Sequence, residues 1–161
     1  MSRLRVAVIA LALVAIPGRA LADATVFLGT QTNPSSRLAK GVALGLGLLL
    51  VGFEFEYATT SDDDDDLAPS LRTGMGNVLL QTPFEIVGTQ PYVTIGAGLY
   101  RERLESIDHQ ETNVGMNTGG GAKVTLAGPL RLRLDYRFFK LAGDTLHSRS
   151  HRVYAGLNLK F

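Results

Sequence analysis

The stretch at 130–138, Leu-Arg-Leu-Arg-Leu-Asp-Tyr-Arg-Phe, restricts this chain more than any other. In an extended strand Leu130, Leu132, Leu134, Tyr136 and Phe138 share one face, and Arg131, Arg133, Asp135 and Arg137 share the other. The stretch 152–161 repeats the pattern. Val153, Ala155, Leu157, Leu159 and Phe161 oppose Arg152, Tyr154, Gly156, Asn158 and Lys160. A soluble strand tolerates such alternation. A transmembrane β-barrel requires it, with lipid outside and a polar lumen inside. An aromatic residue, Phe161, closing the last strand points the same way.

The 161 residues fit one domain. Residues 1–5 are basic through Arg3 and Arg5, 6–16 are uninterruptedly apolar, and Ala20 and Ala22 form an Ala-x-Ala-like cleavage site. That order predicts a cleaved secretory signal peptide over 1–22 and a barrel over 23–161, because the apolar run is too short to span a bilayer as a helix. Losing Arg3, Arg5 and Arg19 takes Lys+Arg from 16 to 13 against 15 acids, so the expected mature chain carries about −2. Such a balance gives no reason to expect nucleic acid. With no cysteine, disulfides and zinc-thiolate sites are excluded. Past the leader, the richest apolar run, 42–51, is broken by Gly45 and Gly47 and is too short for a spanning helix. A membrane location then implies a barrel.

Eight strands are expected, in four hairpins. The first, about 24–30, carries Val26 and Leu28 outward. The second, 40–48, sets Val42, Leu44, Leu46 and Leu48 against Ala43, Gly45 and Gly47. After a tight turn at Leu49 and Leu50, the third, 51–59, sets Val51, Phe53, Phe55 and Tyr57 against Gly52, Glu54 and Glu56. The fourth, about 71–81, has no clean alternation. The fifth, 91–104, sets Val93, Ile95, Ala97 and Leu99 against Thr94, Gly96, Gly98, Tyr100 and Glu102. In the sixth, 113–126, the outward set includes Val114 and Met116 and the inward set Asn117, Gly119, Gly121 and Lys123. The seventh and eighth are the two opening strands. Long polar connections are expected at 31–37, 60–69, 105–112 and 141–151, and tight ones near Leu49 and at Ala127-Gly128-Pro129, with the 83–90 turn longer. This asymmetry suits an outer-membrane barrel. A soluble ligand-binding barrel would carry its charges outside, whereas here they share a face with glycines that make room in a narrow lumen.

These features resemble the small outer-membrane β-barrel family that includes the OmpA transmembrane domain, OmpX/Ail-like and opacity-type porin-like proteins. The likeness rests on Pro91-Tyr-Val-Thr-Ile-Gly-Ala-Gly-Leu-Tyr100, the Gly119–Gly121 strand, the 130–138 strand and the 153–161 end. It implies an all-β, eight-stranded antiparallel transmembrane barrel in a Gram-negative outer membrane. It further implies Phe161 as the signal read by the outer-membrane assembly machinery, and outer-membrane lipids and lipopolysaccharide as surroundings. On activity it is nearly silent, since the family spans adhesins, stabilising proteins and members of unknown role.

Four groups of residues are candidates for chemistry. Glu54, Glu56, Glu102 and Asp135 are expected in the lumen beside Lys123, Arg131, Arg133, Arg137, Arg152 and Lys160, with Glu54 and Glu56 meeting Arg131 and Arg133 across it. Eight strands leave room only for side chains, so a salt-bridged plug is expected over an ion path. Asp62, Asp63, Asp64, Asp65 and Asp66 form an acidic loop that suits weak cation binding, but they lack the spacing of a calcium loop. His109, His147 and His151 are expected in or beside outer loops. His147-Ser148 is only partly similar to the His-x-Ser pair of lipid A deacylase barrels, because Arg149 stands where the serine belongs and no acid follows to orient the imidazole. Finally Phe27, Tyr57, Tyr100, Tyr136, Phe138 and Phe139 at one end, and Tyr92 and Phe161 at the other, suit interfacial girdles.

The expected function is that of a monomeric structural or surface-interaction (adhesin-like) membrane protein with a closed polar lumen, without cofactor, defined metal site or catalytic residue. The alternatives are a narrow pore for small solutes or ions and, below it, a lipid A-modifying enzyme.

Overall fold

The computed structural model describes residues 21–63, 65–104 and 109–161. The expected signal peptide falls almost wholly outside them. Eight strands follow in order: β1 Leu21–Thr32, β2 Arg37–Leu48, β3 Val51–Thr60, β4 Ser70–Gln81, β5 Thr89–Leu104, β6 His109–Ala127, β7 Leu130–Leu141 and β8 Arg149–Lys160. Each pairs antiparallel with its neighbour, and β1 pairs with β8 to close the barrel. Closure leaves no edge strand, so the backbone of the wall is paired in ladders all round, with one irregularity between Thr125 and Ala127 where β6 meets β7.

The wall is inverted relative to a soluble protein. Leu28, Leu44 and Leu99 are each 61% exposed, and Phe55, Val93, Ile95, Met116 and Val153 continue the outward apolar surface around the barrel. Arg133, Arg137 and Arg152 are 0% exposed. Only a hydrocarbon solvent makes that distribution favourable, since so large an apolar surface has no place in water.

Turn chemistry sets the two ends apart. Leu49 (φ 52°) and Gly128 (φ 53°) sit in the left-handed region in the tight β2–β3 and β6–β7 connections, and Gly128 does so without a Cβ penalty. The start of β1 and the end of β8 lie at this same end, where Phe161 N donates to Ala22 O. The opposite end carries the longest connection, 61–69, and no two-residue turn, which marks it as the outer one, although the 82–88 connection at the inner end is itself seven residues long.

Some expectations about the elements are corrected. The 105–112 loop is largely strand: Leu104 pairs with His109, and Arg103, Glu102 and Arg101 pair with Gln110, Glu111 and Thr112. Only 105–108 lie between the strands, outside the described residues. β1 begins two residues before the expected cleavage point, with Leu21 opposite Gly47 and Ala22 opposite Leu46. β4 turns Leu71, Thr73, Met75, Asn77 and Leu79 inward and Val78 and Leu80 outward. Its two faces are similarly apolar, which is why it does not alternate. The girdle is smaller than expected, because Phe27, Tyr92, Tyr100 and Phe139 are buried in the lumen.

Candidate functional site: the luminal side chains

At mid-barrel β3 contributes Glu54 and Glu56, β7 contributes Arg133, Asp135 and Arg137, and β8 contributes Arg152, all at inward positions of alternating strands. Glu54 holds two guanidiniums. Arg133 donates to both its oxygens, one through Nη2 at 3.2 Å, and Arg137 Nη2 donates to Oε1 at 2.9 Å. Asp135 lies between the same two arginines, accepting from Arg133 Nη2 at 3.0 Å and from Arg137 Nε at 2.9 Å. It also accepts from the Tyr92 hydroxyl, which in turn accepts from Arg133 Nε at 2.7 Å. Glu56 accepts from Arg152 Nη1 at 3.0 Å and from Tyr154 at 3.3 Å, with Arg137 Nη1 at 3.6 Å. Three cations face three carboxylates, so the buried centre is neutral. Neutrality and saturated donors are what buried charges need.

Uncharged groups complete the layer. Asn77 donates to Glu54 at 3.3 Å, Asn117 donates to Asn77 at 2.8 Å, and Gln31 accepts from Arg152 at 3.2 and 3.0 Å. Room for them comes from glycine. A Cβ on Gly96 would stand 1.9 Å from Asn77 Oδ1, and one on Gly121 would stand 2.6 Å from the Tyr92 hydroxyl. Both glycines were read from the sequence as space-makers. Alternation places Asn117 and Tyr154 inward without marking them as partners of the charges, and it gives no sign of Asn77 or Gln31, since one uncharged residue at an inward position carries little signal.

The remaining charges separate by height. Arg131 does not reach Glu54 or Glu56. It donates to Asp23 at 3.0 Å, to Asn158 at 2.7 Å and to Gln90 at 3.1 Å near the inner mouth. Lys123 joins it on Asp23 at 2.5 Å. Asp23, which the sequence reading treated only as a boundary, is therefore the acid that holds two cations. Lys160 stands at the rim, 3.9 Å from Glu85. Glu102 belongs to the outer mouth, where it accepts from Thr145 Oγ1 at 2.6 Å and from Leu146 N at 2.9 Å. A cavity of about 70 Å³ lies at the inner mouth and one of about 10 Å³ at the outer. Fully buried arginines lie between them.

The other candidates do not converge. Asp62, Asp65 and Asp66 are exposed, Asp63 forms a backbone bridge with Ala68, and Asp64 is outside the described residues. Among the described residues no three His, Cys, Asp or Glu side chains are grouped to hold a metal ion. His147 lies in the β7–β8 loop with its Nδ1 buried and without a partner among the described residues. His151 is in β8 rather than a loop, its Nδ1 2.6 Å from the Tyr136 hydroxyl. His109 opens β6.

The fold, the apolar belt and the charged interior define a transmembrane β-barrel of the small outer-membrane type. No protein-family model matches the sequence, and no characterised protein matches it by sequence. Solved structures do. The chain is similar to Neisserial surface protein A (TM-score 0.68, 16% identity, 88% of this chain and 96% of that one). It is similar also to the N-terminal β-barrel domain of Pseudomonas aeruginosa OprF (0.66, 17%, 89% and 99%) and to the outer membrane enzyme PagL (0.54, 10%, 85% and 98%). At these identities the likeness is one of fold.

Proposed function

We propose that this protein is a monomeric barrel of a Gram-negative outer membrane that anchors its outer loops at the cell surface and conducts nothing. The observation that carries this reading is the neutral, fully buried cluster of Glu54, Glu56, Asp135, Arg133, Arg137 and Arg152 across the lumen. Moving an ion past it means parting buried pairs, each costing about 3–5 kcal/mol when one partner is lost. In this reading residues 1–22 are a signal peptide, and cleavage leaves Asp23 to complete the inner-mouth pairing. Phe161 is the residue read by the assembly machinery, and outer-membrane lipid, including lipopolysaccharide, surrounds the belt. The fold likeness to a surface protein supports loops that meet an outside partner.

Against a hydrolase stands the geometry of His147, whose Nδ1 meets no carboxylate among the described residues. A nucleophile needs a base that is itself oriented.

The test is planar-bilayer conductance of the refolded barrel, with folding verified by a boiling-sensitive gel shift. Folded, silent protein is the expected result. Discrete and reproducible channel steps would replace the anchor with a narrow pore for small solutes or ions.

A further inference from the structure

Charge is segregated by face on the strands. The acids Asp23, Glu54, Glu56, Glu102 and Asp135 are buried on the luminal side. On the outward face the charged side chains of the described strands are Lys40, Arg72, Arg101, Arg103, Lys140 and Arg149, all exposed and all cations. They stand toward the end with the longer connections. The density is greatest between β4 and β5, where Arg72 sits directly opposite Arg101 and Ser70 opposite Arg103. Like charges directly opposed in an antiparallel pair repel one another. Neither Arg72 nor Arg101 has an ion-pair partner among the described residues. These arginines, with Ser70 and Gln110, line a cleft of about 110 Å³.

One step down the same strands the wall turns apolar: Gly74 opposite Leu99, Gly76 opposite Ala97, and Val78 opposite Ile95. A ligand for the arginines must therefore carry its negative charge at the upper edge of a hydrocarbon layer. A soluble polyanion would have to lie against lipid tails to reach them. A membrane lipid presents its phosphate at that height, and guanidinium forks match phosphate oxygens two at a time.

We propose that the Arg72–Arg101 pair, with Arg103 beside it, is a binding site for the phosphate of an outer-leaflet glycolipid, the bound phosphate relieving the repulsion between the two guanidiniums. The proposal rests on the outer-membrane reading above and deepens it by naming a partner and the residues that hold it.

The test uses the refolded barrel in phosphatidylcholine vesicles doped with bisphosphorylated lipid A, or with dephosphorylated lipid A of the same acyl chains. Lipid retained through detergent extraction is counted by native mass spectrometry. The wild type is expected to retain the phosphorylated form about 10–30-fold more strongly, as two added cationic contacts imply. R72Q/R101Q is expected to lose that preference, and K140Q/R149Q, on the other side of the barrel, to keep most of it. The boiling-sensitive gel shift checks that each variant folds. Equal retention of both lipids, or an unchanged preference in R72Q/R101Q, overturns the proposal. Displacement by millimolar inorganic phosphate assigns the cleft to the free ion and overturns the lipid assignment. A dimer abolished by R72Q/R101Q assigns the face to a second copy and does the same. Since conductance is read separately, a conducting barrel that still selects phosphorylated lipid would sink the anchor reading alone.

Discussion

At mid-barrel the lumen is filled by three guanidiniums and three carboxylates, whereas toward the outer mouth it is filled by Leu71, Met75, Tyr100, Phe139 and Leu141. The two fillings touch, for the Arg152 guanidinium carbon lies 4.5 Å from the Phe139 ring centre. Both exclude water from the same narrow tube, but by different physics. Charged filling is directional and all-or-none, since each Glu54 oxygen is committed to named donors. Apolar filling depends on volume and adapts to a change of shape.

That contrast breaks first at Glu54. Glu54→Leu leaves Arg133 ion-paired with Asp135 alone and Arg137 with Asp135 and the longer contact to Glu56, and unfolding in urea from lipid vesicles should show a loss of about 3–5 kcal/mol. A loss no larger than that of a conservative apolar swap would mean the charges do not stabilise the barrel. Next comes the wall itself. Leu134→Arg places a cation on the lipid face, with an expected loss of about 2–4 kcal/mol in the same assay if it lies near the bilayer midplane. An unchanged unfolding midpoint would refute the outward assignment of this strand's leucines. Tyr92→Phe sharpens the comparison within the polar layer. It removes the donor to Asp135 and the acceptor for Arg133, with an expected cost of about 1–3 kcal/mol. The smallest effect belongs to the apolar filling: Met75→Leu should cost less than about 1.5 kcal/mol. A larger loss there would show that this filling is as shape-specific as the ion pairs.

What could be read from the sequence follows from the same contrast. Where inward residues are mostly charged, polar or glycine and outward ones apolar, as in β3, β7 and β8, alternation alone gives the face. Where the lumen is filled with apolar side chains, the two faces of β4 look alike, and Phe27 and Phe139 pass for girdle residues. Membership of the charge cluster was legible, since Glu54, Glu56, Arg133, Asp135 and Arg137 share inward parity. Pairing was not. Strands of a closed barrel are tilted and staggered, so residues expected opposite one another lie at different heights. Arg131 falls to the level of Asp23, while Arg137 joins the expected Arg133 on Glu54. Nothing in spacing along the chain reports that stagger.

The junction between β1 and β8 carries a consequence for traffic. Besides its ladder from Asp23↔Lys160 to Thr32↔His151, it is stitched on the luminal side. Asn158 donates to Thr25 at 2.8 Å, Gln31 donates to Ser150 at 3.2 Å, and Phe27 stacks on Tyr154 at 4.0 Å. Parting these strands within hydrocarbon would release ladder and stitches together, with no solvent to replace them. The barrel is thus a hoop riveted across its first and last staves, and it offers no sideways door between its interior and the bilayer.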